Sequence, residues 1–158
     1  MLVALMATFN LSAQQRKWRT INVNTCVLNT TVSFTNGTQY GDHLFLGLGM
    51  GVDYYTPIDI TVNNTTYGVG GYSVPIFVDG KWRLFGSWLS PSLRVRTGAI
   101  FNFRMAGAGL FAYPEIGFDI SRRLTLSVGW NGQMLYSIDY GTWCNMSAQP
   151  CFGLSWKF

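Results

Sequence analysis

The feature that most constrains this sequence is a strict alternation of residue types that runs through most of the chain. From residue 44 to residue 55, Leu, Met, Val and Tyr occupy every second position, and Phe, Gly, Asp and Tyr occupy the positions between them. Residues two apart on an extended strand lie on the same face of a sheet. The pattern therefore predicts strands with one apolar face and one face that is small or polar.

The same alternation continues to the end of the chain and divides it into eight predicted strands. Several are longer than the roughly 5–6 residues usual in globular sheets, and they suit a tilted membrane strand, which needs about 9–11 residues. No run of about 20 apolar residues follows residue 13, so helical membrane spans are excluded there. The predicted strands are residues 17–26, 29–40, 43–55, 72–85, 88–103, 109–121, 123–139 and 151–158.

The connections between these strands alternate between tight and long. Tight turns are predicted near 41–43, 86–87 and 121–122, and longer loops at 56–71, 104–109 and 140–150. Short turns on one side and long loops on the other are typical of a transmembrane barrel, and an even strand number returns both termini to the short-turn side. The predicted fold is all-β, an eight-stranded antiparallel up-and-down transmembrane β-barrel.

Charged residues concentrate on the face opposite the apolar one, which decides between a soluble and a membrane barrel. Ten of the 18 charged residues share that face. Buried in a dry protein core, unpaired charges would cost several kcal/mol each, whereas a membrane barrel places its apolar face against lipid and its polar face in the lumen. The predicted lumenal charge network is Asp53, Asp79, Lys81, Arg83, Arg94, Arg96, Glu115, Asp119, Asp139 and Lys157.

The predicted hairpin of strands five and six suggests specific partners within this network. A link centred near residue 106 brings Arg96 opposite Glu115 and Arg94 opposite Asp119, within one or two residues of register error. An eight-stranded barrel has an interior just wide enough for side chains to fill it. We therefore predict a plugged lumen rather than an open pore. Pro114 lies in the sixth predicted strand, 109–121. Because proline has no N–H to donate, it predicts a bulge or a broken ladder bond there.

The N-terminal segment and the cysteines indicate export. Residues 1–14 resemble the apolar region of a signal peptide that ends in small residues but lacks a positive start; the alternative is a first apolar strand or a buried helix. This divides the chain into a signal peptide, 1–14, and a barrel domain, 15–158. Disulfides persist in exported proteins, so Cys144 and Cys151 are predicted to bridge the last loop; Cys26 is the alternative partner for Cys151, and three free thiols are the third possibility.

Most chemical functions find little support in the residues. The net charge is +4, but the longest basic tract is only residues 16–19, so no nucleic-acid partner is predicted. The one histidine, His43, lies at a tight turn, and there is no GxSxG motif. No cluster of His, Cys or carboxylates suits a metal, and the glycines of residues 47–51 lack the spacing of a phosphate loop. We predict no catalytic residues, cofactor or metal; those glycines instead leave room for larger lumenal side chains.

Four segments carry a resemblance to a known family: residues 44–53, 74–79, 123–130 and 152–158. Together they make residues 30–158 similar to the small outer-membrane β-barrel proteins of Gram-negative bacteria, the OmpA-like barrels. The resemblance implies an outer-membrane location with both termini periplasmic, contact with outer-membrane lipid, and insertion by the barrel assembly machinery. The residues that match the family's C-terminal assembly signal are Phe152, Leu154, Trp156 and Phe158.

A fold of this kind does not fix a function. The interpretation favoured by the sequence is a non-enzymatic membrane barrel with a structural, surface-interaction or accessory role. Two alternatives remain open: a lipid-modifying outer-membrane barrel enzyme, and a soluble, lipocalin-like binder of an apolar ligand.

Overall fold

A computed structural model describes residues 15–62, 65–85, 89–103, 106–137 and 141–158. The predicted signal peptide, 1–14, lies outside these residues. The described residues form eight β-strands and no helix long and apolar enough to cross a membrane. The strands are β1 (Gln15–Cys26), β2 (Asn29–Tyr40), β3 (Leu44–Val62), β4 (Thr65–Arg83), β5 (Pro91–Asn102), β6 (Gly107–Asp119), β7 (Leu124–Ser137) and β8 (Thr142–Lys157).

The eight strands close into a single up-and-down barrel, which confirms the predicted fold. Each strand pairs antiparallel with its neighbours in sequence, and β1 pairs with β8. Following paired residues round the barrel from Cys26 leads back to β1 at Arg16, so the register is displaced by ten residues in one circuit. Such a displacement requires strands that tilt by roughly 35–45°.

The two ends of the barrel differ, and we name them by what they carry. The terminal end holds the start of β1, the end of β8 and the connections 41–43, 84–90 and 120–123. The loop end holds the other four connections. His43 and Ser121 therefore lie at the terminal end, as the predicted topology places them. The predicted contrast between tight turns and long loops is wrong, however, because the connection 84–90 at the terminal end is longer than any connection between strands at the loop end.

At the loop end the strands are longer than the alternation predicted. β3 and β4 stay paired as far as Val62 and Thr65, so most of the predicted loop 56–71 is a regular hairpin. Residues 58–62 include Ile, Thr and Val, which favour strands. The ladder shifts by a bulge between Tyr55 and Ile58, opposite two glycines with positive φ, Gly70 (115°) and Gly71 (86°). β8 likewise begins within the predicted loop 140–150.

Pro75 and Pro114 each interrupt the pairing of their strand with one neighbouring strand and leave the pairing with the other neighbour intact. Pro114 pairs with Val95 of β5, but the pairing of β6 with β7 skips residues 113–114 without changing register. Pro75 pairs with Ile100 of β5, and the pairing of β4 with β3 skips residues 74–75 in the same way. The broken ladder bond predicted at Pro114 is thus present, because proline has no N–H to donate.

The outer surface of the barrel is apolar. Its residues at mid-height expose large side chains, among them Leu48 (69% exposed) and Val78 (52%). Tyr54 and Tyr72 are in contact near the loop end, with ring centroids 5.1 Å apart, and Trp82 and Trp156 are exposed near the terminal end. An apolar band between two aromatic girdles is typical of a barrel surrounded by lipid. Six residues that the alternation assigns to this face are all exposed: Leu48, Val78, Val95, Phe118, Leu126 and Leu154.

Candidate functional site: the lumenal charge network

Arg94 lies in the middle of the lumen, bonded to two carboxylates. Its Nε donates to Asp79 Oδ1 at 2.7 Å, and its Nη2 donates to the other oxygen of Asp79. Its Nη1 lies 3.2 Å from Glu115 Oε1. All three side chains are buried. A planar guanidinium that meets a carboxylate with two parallel bonds forms one of the strongest and most directional ion pairs in proteins.

The two arginines of β5 reach across the whole bore. Arg94 Nη1 donates to Asn22 Oδ1 on β1 at 2.9 Å and to Ser155 Oγ on β8 at 3.0 Å. Arg96 Nη2 donates to Asn24 Oδ1 on β1 at 3.0 Å. In a ring of eight strands β1 is diametrically opposite β5. These hydrogen bonds therefore connect opposite walls and fill the lumen at this height.

Arg96 is held by aromatic rings as well as by charge. Its guanidinium carbon lies 4.4 Å from the ring centroid of Tyr113 and 5.9 Å from that of Phe77, within the range of cation–π attraction. Both rings need small neighbours: a Cβ at Gly129 would lie 2.8 Å from the Tyr113 ring, and one at Gly49 would overlap Phe77. Gly49 lies in the glycine-rich stretch of β3, where the sequence predicted room for larger side chains.

One of the two predicted ion pairs is present and the other is wrong. Arg96 Nη2 lies 3.2 Å from Glu115 Oε2, as predicted. Arg94, however, bonds Asp79 and Glu115 and not Asp119. The cause is register: Arg94 is directly opposite Glu115, so the hairpin is centred between residues 104 and 105 rather than near 106. This shift moves Asp119 to a different layer of the lumen.

Asp119 belongs to a second group, the terminal-end cluster, in which one carboxylate meets three cations. Lys81 Nζ lies 2.6 Å from Asp119 Oδ1, and Arg83 Nε lies 2.7 Å from Oδ2. Lys157 Nζ is more distant, 3.7 Å from Oδ2. Thr125 Oγ1 also donates to Asp119. The cluster defined by these four charged residues has more positive than negative charge.

The remaining described carboxylate of the predicted lumenal network, Asp53, lies toward the loop end among neutral donors. Asn29 Nδ2 and Gln133 Nε2 donate to it at 3.2 and 3.1 Å, and Thr31 Oγ1 donates as well. Gln149 Nε2 extends this network with a 2.6 Å bond to Asn29 Oδ1. Neither a motif nor the charge pattern in the sequence indicates these amides, although the alternation of each strand places them on the inward face.

Near Asp53 the lumen also contains an apolar cluster, which the prediction of a polar lumen did not include. Its buried members are Phe77, Ile100, Phe111, Tyr113, Leu135 and Cys151. Ile100 and Leu135 are completely buried. They are inward because their neighbours in sequence face lipid, so the alternation alone could have identified them. The apolar cluster fills the part of the bore that charges leave free.

Cys151 is bonded to Cys26, so the predicted Cys144–Cys151 bridge is wrong and the alternative partner is the one found. The pairing of β1 with β8 places Cys26 directly opposite Cys151. The backbone of Cys144 pairs instead with Leu135 of β7, farther toward the loop end. The disulfide joins positions 125 residues apart, across the seam at which the barrel closes.

The structure places nine of the ten predicted lumenal charges on the inner wall, and the tenth, Asp139, lies outside the described residues. His43 is exposed at the terminal end, with Nδ1 3.1 Å from the backbone oxygen of Arg83. No group of three or more metal-binding side chains occurs in the described part of the chain. The four residues of the predicted assembly signal are all exposed, three on the outer face of β8 and the last just beyond its end: Phe152, Leu154, Trp156 and Phe158.

Solved structures with the same architecture provide the comparison. The N-terminal β-barrel domain of Pseudomonas aeruginosa OprF superposes over 92% of this chain and 98% of that domain, with a TM-score of 0.50 and 12% sequence identity. A de novo designed transmembrane β-barrel covers 90% of this chain and 95% of its own, with a TM-score of 0.44 and 18% identity. No family model and no curated protein matches the chain. At this identity the likeness to the OprF domain shows the fold alone.

Proposed function

We propose that this protein is an integral outer-membrane β-barrel with a closed lumen and a non-enzymatic role, as a membrane-anchored structural, surface-contact or accessory protein. The observation that carries the proposal is the pair of arginines, Arg94 and Arg96, whose side chains span the bore from β5 to β1. A solute would have to break these charge-assisted bonds to pass. A hydrogen bond to a charged group contributes roughly 1.5–3 kcal/mol.

The arrangement of the two faces supports a membrane location. Apolar side chains cover the outside at mid-height, and the paired charges lie inside. A soluble, lipocalin-like barrel needs the opposite arrangement, with an apolar interior and a polar exterior. We therefore expect the protein to fractionate with outer membranes and to require detergent for extraction, with its termini on the periplasmic side.

A surface role is supported by the β3–β4 hairpin. β2 pairs with β3 only as far as Tyr55, and β5 pairs with β4 only from Ser73, so the intervening hairpin extends beyond its neighbours at the loop end. With periplasmic termini this hairpin would lie outside the cell. A two-stranded projection of this kind offers exposed edges to a partner.

The enzyme alternative has weaker support. A lipid-modifying hydrolase needs a nucleophile beside a base. His43 bonds a backbone carbonyl and lies at the terminal end, which the proposed orientation puts in the periplasm.

Single-channel recording in planar bilayers tests the closed lumen. We expect the wild-type protein to show no steady conductance. A charge-balanced variant, in which Arg94, Arg96, Asp79 and Glu115 are all replaced by Ala, should conduct, because it removes the side chains that cross the bore without leaving any charge unpaired. Arg122→Ala, which alters an exposed turn residue, serves as the control and should remain silent. Large, steady wild-type conductance would contradict the proposal.

A further inference from the structure

A groove on the outer wall is much larger than the cavities beside Arg94 and Arg96 in the lumen. The groove has a volume of about 380 Å³ and is almost entirely apolar, whereas the two cavities measure about 20 Å³ each, room for about one water molecule. The residues along its middle face the lumen, so the space between its two walls is open. The walls are two rows of outward side chains, one of Ile116, Val128 and Phe152 and the other of Phe118 and Leu126.

Two exposed arginines flank the end of β8, the strand that carries Phe152. On one side Lys157 N donates to the backbone oxygen of Arg123 at 2.7 Å, and on the other Phe158 N donates to that of Arg19 at 2.9 Å. Neither arginine forms an ion pair with any residue that the structure describes. Exposed cations without a carboxylate partner give this part of the terminal end a positive potential that attracts anions.

The spacing between the groove and these arginines matches one leaflet of a bilayer. Phe158 follows Phe152 by six positions, which is about 20 Å along an extended strand. A strand tilted by roughly 35–45° covers about 15 Å of depth over that length, which is half of the roughly 30 Å hydrocarbon core. Trp156 is exposed between the two levels, as is typical of the boundary between hydrocarbon and headgroups. The groove therefore lies at the depth of acyl chains, and the arginines lie at the level of headgroups.

From these observations we infer that the groove and the two arginines together bind one anionic phospholipid of the leaflet at the terminal end. An acyl chain fills the groove, because an empty space beside the wall would forfeit dispersion contacts. The lipid phosphate lies beside Arg19 and Arg123, whose planar guanidinium groups suit phosphate oxygens. This inference rests on the proposed membrane location and deepens it by naming the class of lipid; with periplasmic termini, the leaflet is the periplasmic one.

Native mass spectrometry of the purified full chain tests the headgroup part of this inference. The protein is released from nanodiscs that contain equal amounts of phosphatidylglycerol and phosphatidylcholine with identical acyl chains. We expect one phosphatidylglycerol to remain on each chain, about tenfold more often than phosphatidylcholine, and Arg19→Gln and Arg123→Gln should each reduce this preference about fivefold. Arg16→Gln removes a cation from the same strand as Arg19, but from its opposite face, and should retain the preference.

The groove is tested by removing part of one wall. Phe152→Ala should lower the retention of both lipids by roughly threefold or more, because it deletes apolar contact area, and should leave the preference between them unchanged. Phe101→Ala makes the same change on the outer face of β5, outside the groove, and should bind lipid like the wild type.

Folding of every variant is checked beforehand by its gel mobility before and after heating, and the two arginine variants keep the test decisive if one of them fails to fold. Equal retention of the two lipids by the wild type would overturn the inference, as would equal lipid retention in Phe152→Ala and Phe101→Ala. A lipid-free dimer would also overturn it, because a second copy would then occupy the groove. Extraction without detergent would instead contradict the proposed membrane location, so the two failures are distinguishable.

Discussion

At the scale of single residues, the protein depends on buried charges whose partners are specific. Asp79 is completely buried and is bonded by two nitrogens of Arg94, and Glu115 contacts both Arg94 and Arg96. Such networks are sensitive because a charge that loses its partner in a poorly solvated interior retains its desolvation cost. The lumen is therefore expected to tolerate removal of a pair better than removal of one member.

The variant Asp79→Asn tests this sensitivity. It leaves Arg94 without its bidentate partner and should lower the free energy of unfolding by about 3–5 kcal/mol, measured by urea denaturation in lipid vesicles. The double variant Asp79→Asn/Arg94→Met should recover part of that loss, because no charge is then left unpaired. The control Asp42→Asn, at an exposed turn, should change stability by less than about 0.5 kcal/mol. A double variant less stable than the single one would show that packing, and not the unpaired charge, explains the loss.

At the scale of strands, alternation predicted which face each residue occupies but not which residue stands opposite it. Face assignment needs only local periodicity, so the inward position of Asp79, Arg94 and Glu115 followed from the sequence. Partner assignment needs the register of two strands, which depends on the length of the link between them. The centre of the β5–β6 link was predicted about one and a half residues too late in the chain. That error paired Arg94 with Asp119 instead of Asp79 and Glu115. The ends of the strands were the hardest feature to predict. A hairpin such as β3–β4 can extend beyond the rest of the barrel, and the geometry of the barrel does not limit the length of that extension.

The closing seam between β1 and β8 is the element on which barrel closure depends. Its backbone hydrogen bonds run from the Arg19–Phe158 pair to the Cys26–Cys151 pair, and the disulfide holds its loop end. Beyond Cys151, toward the loop end, β8 pairs with β7 alone. A covalent link across so long a stretch of chain restricts the unfolded state strongly.

Removal of this disulfide should therefore destabilise the barrel. The double variant Cys26→Ser/Cys151→Ser should lower the free energy of unfolding by about 2–4 kcal/mol. Cys144→Ser should retain both the bond and the wild-type stability. Urea denaturation in vesicles measures the first effect, and mass spectrometry of unreduced peptides checks which cysteines are joined. Loss of the bond in Cys144→Ser, or equal stability of the two variants, would contradict the assigned role of the seam.

At the scale of the whole molecule, the barrel is a sheet with its polar face inside. Charges balance in the middle of the lumen, positive charge is in excess at the terminal end, and Asp53 and the apolar cluster occupy the loop end. The outer wall has large apolar side chains at mid-height and aromatic residues toward both ends. This arrangement is stable only if hydrocarbon surrounds the outer wall.

The most direct test of this account compares one arginine at the middle of the outer wall with one at its border. Val78 faces outward in the middle of the barrel portion of β4, and Leu84 is exposed just after that strand ends at the terminal end. In lipid vesicles, Val78→Arg should lower the free energy of unfolding by about 2–4 kcal/mol and Leu84→Arg by only about 0–1 kcal/mol, since the cost of a cation depends on its depth in the bilayer. Equal costs at the two positions, or a Val78→Arg variant as stable as the wild type, would contradict the claim that the apolar wall faces lipid.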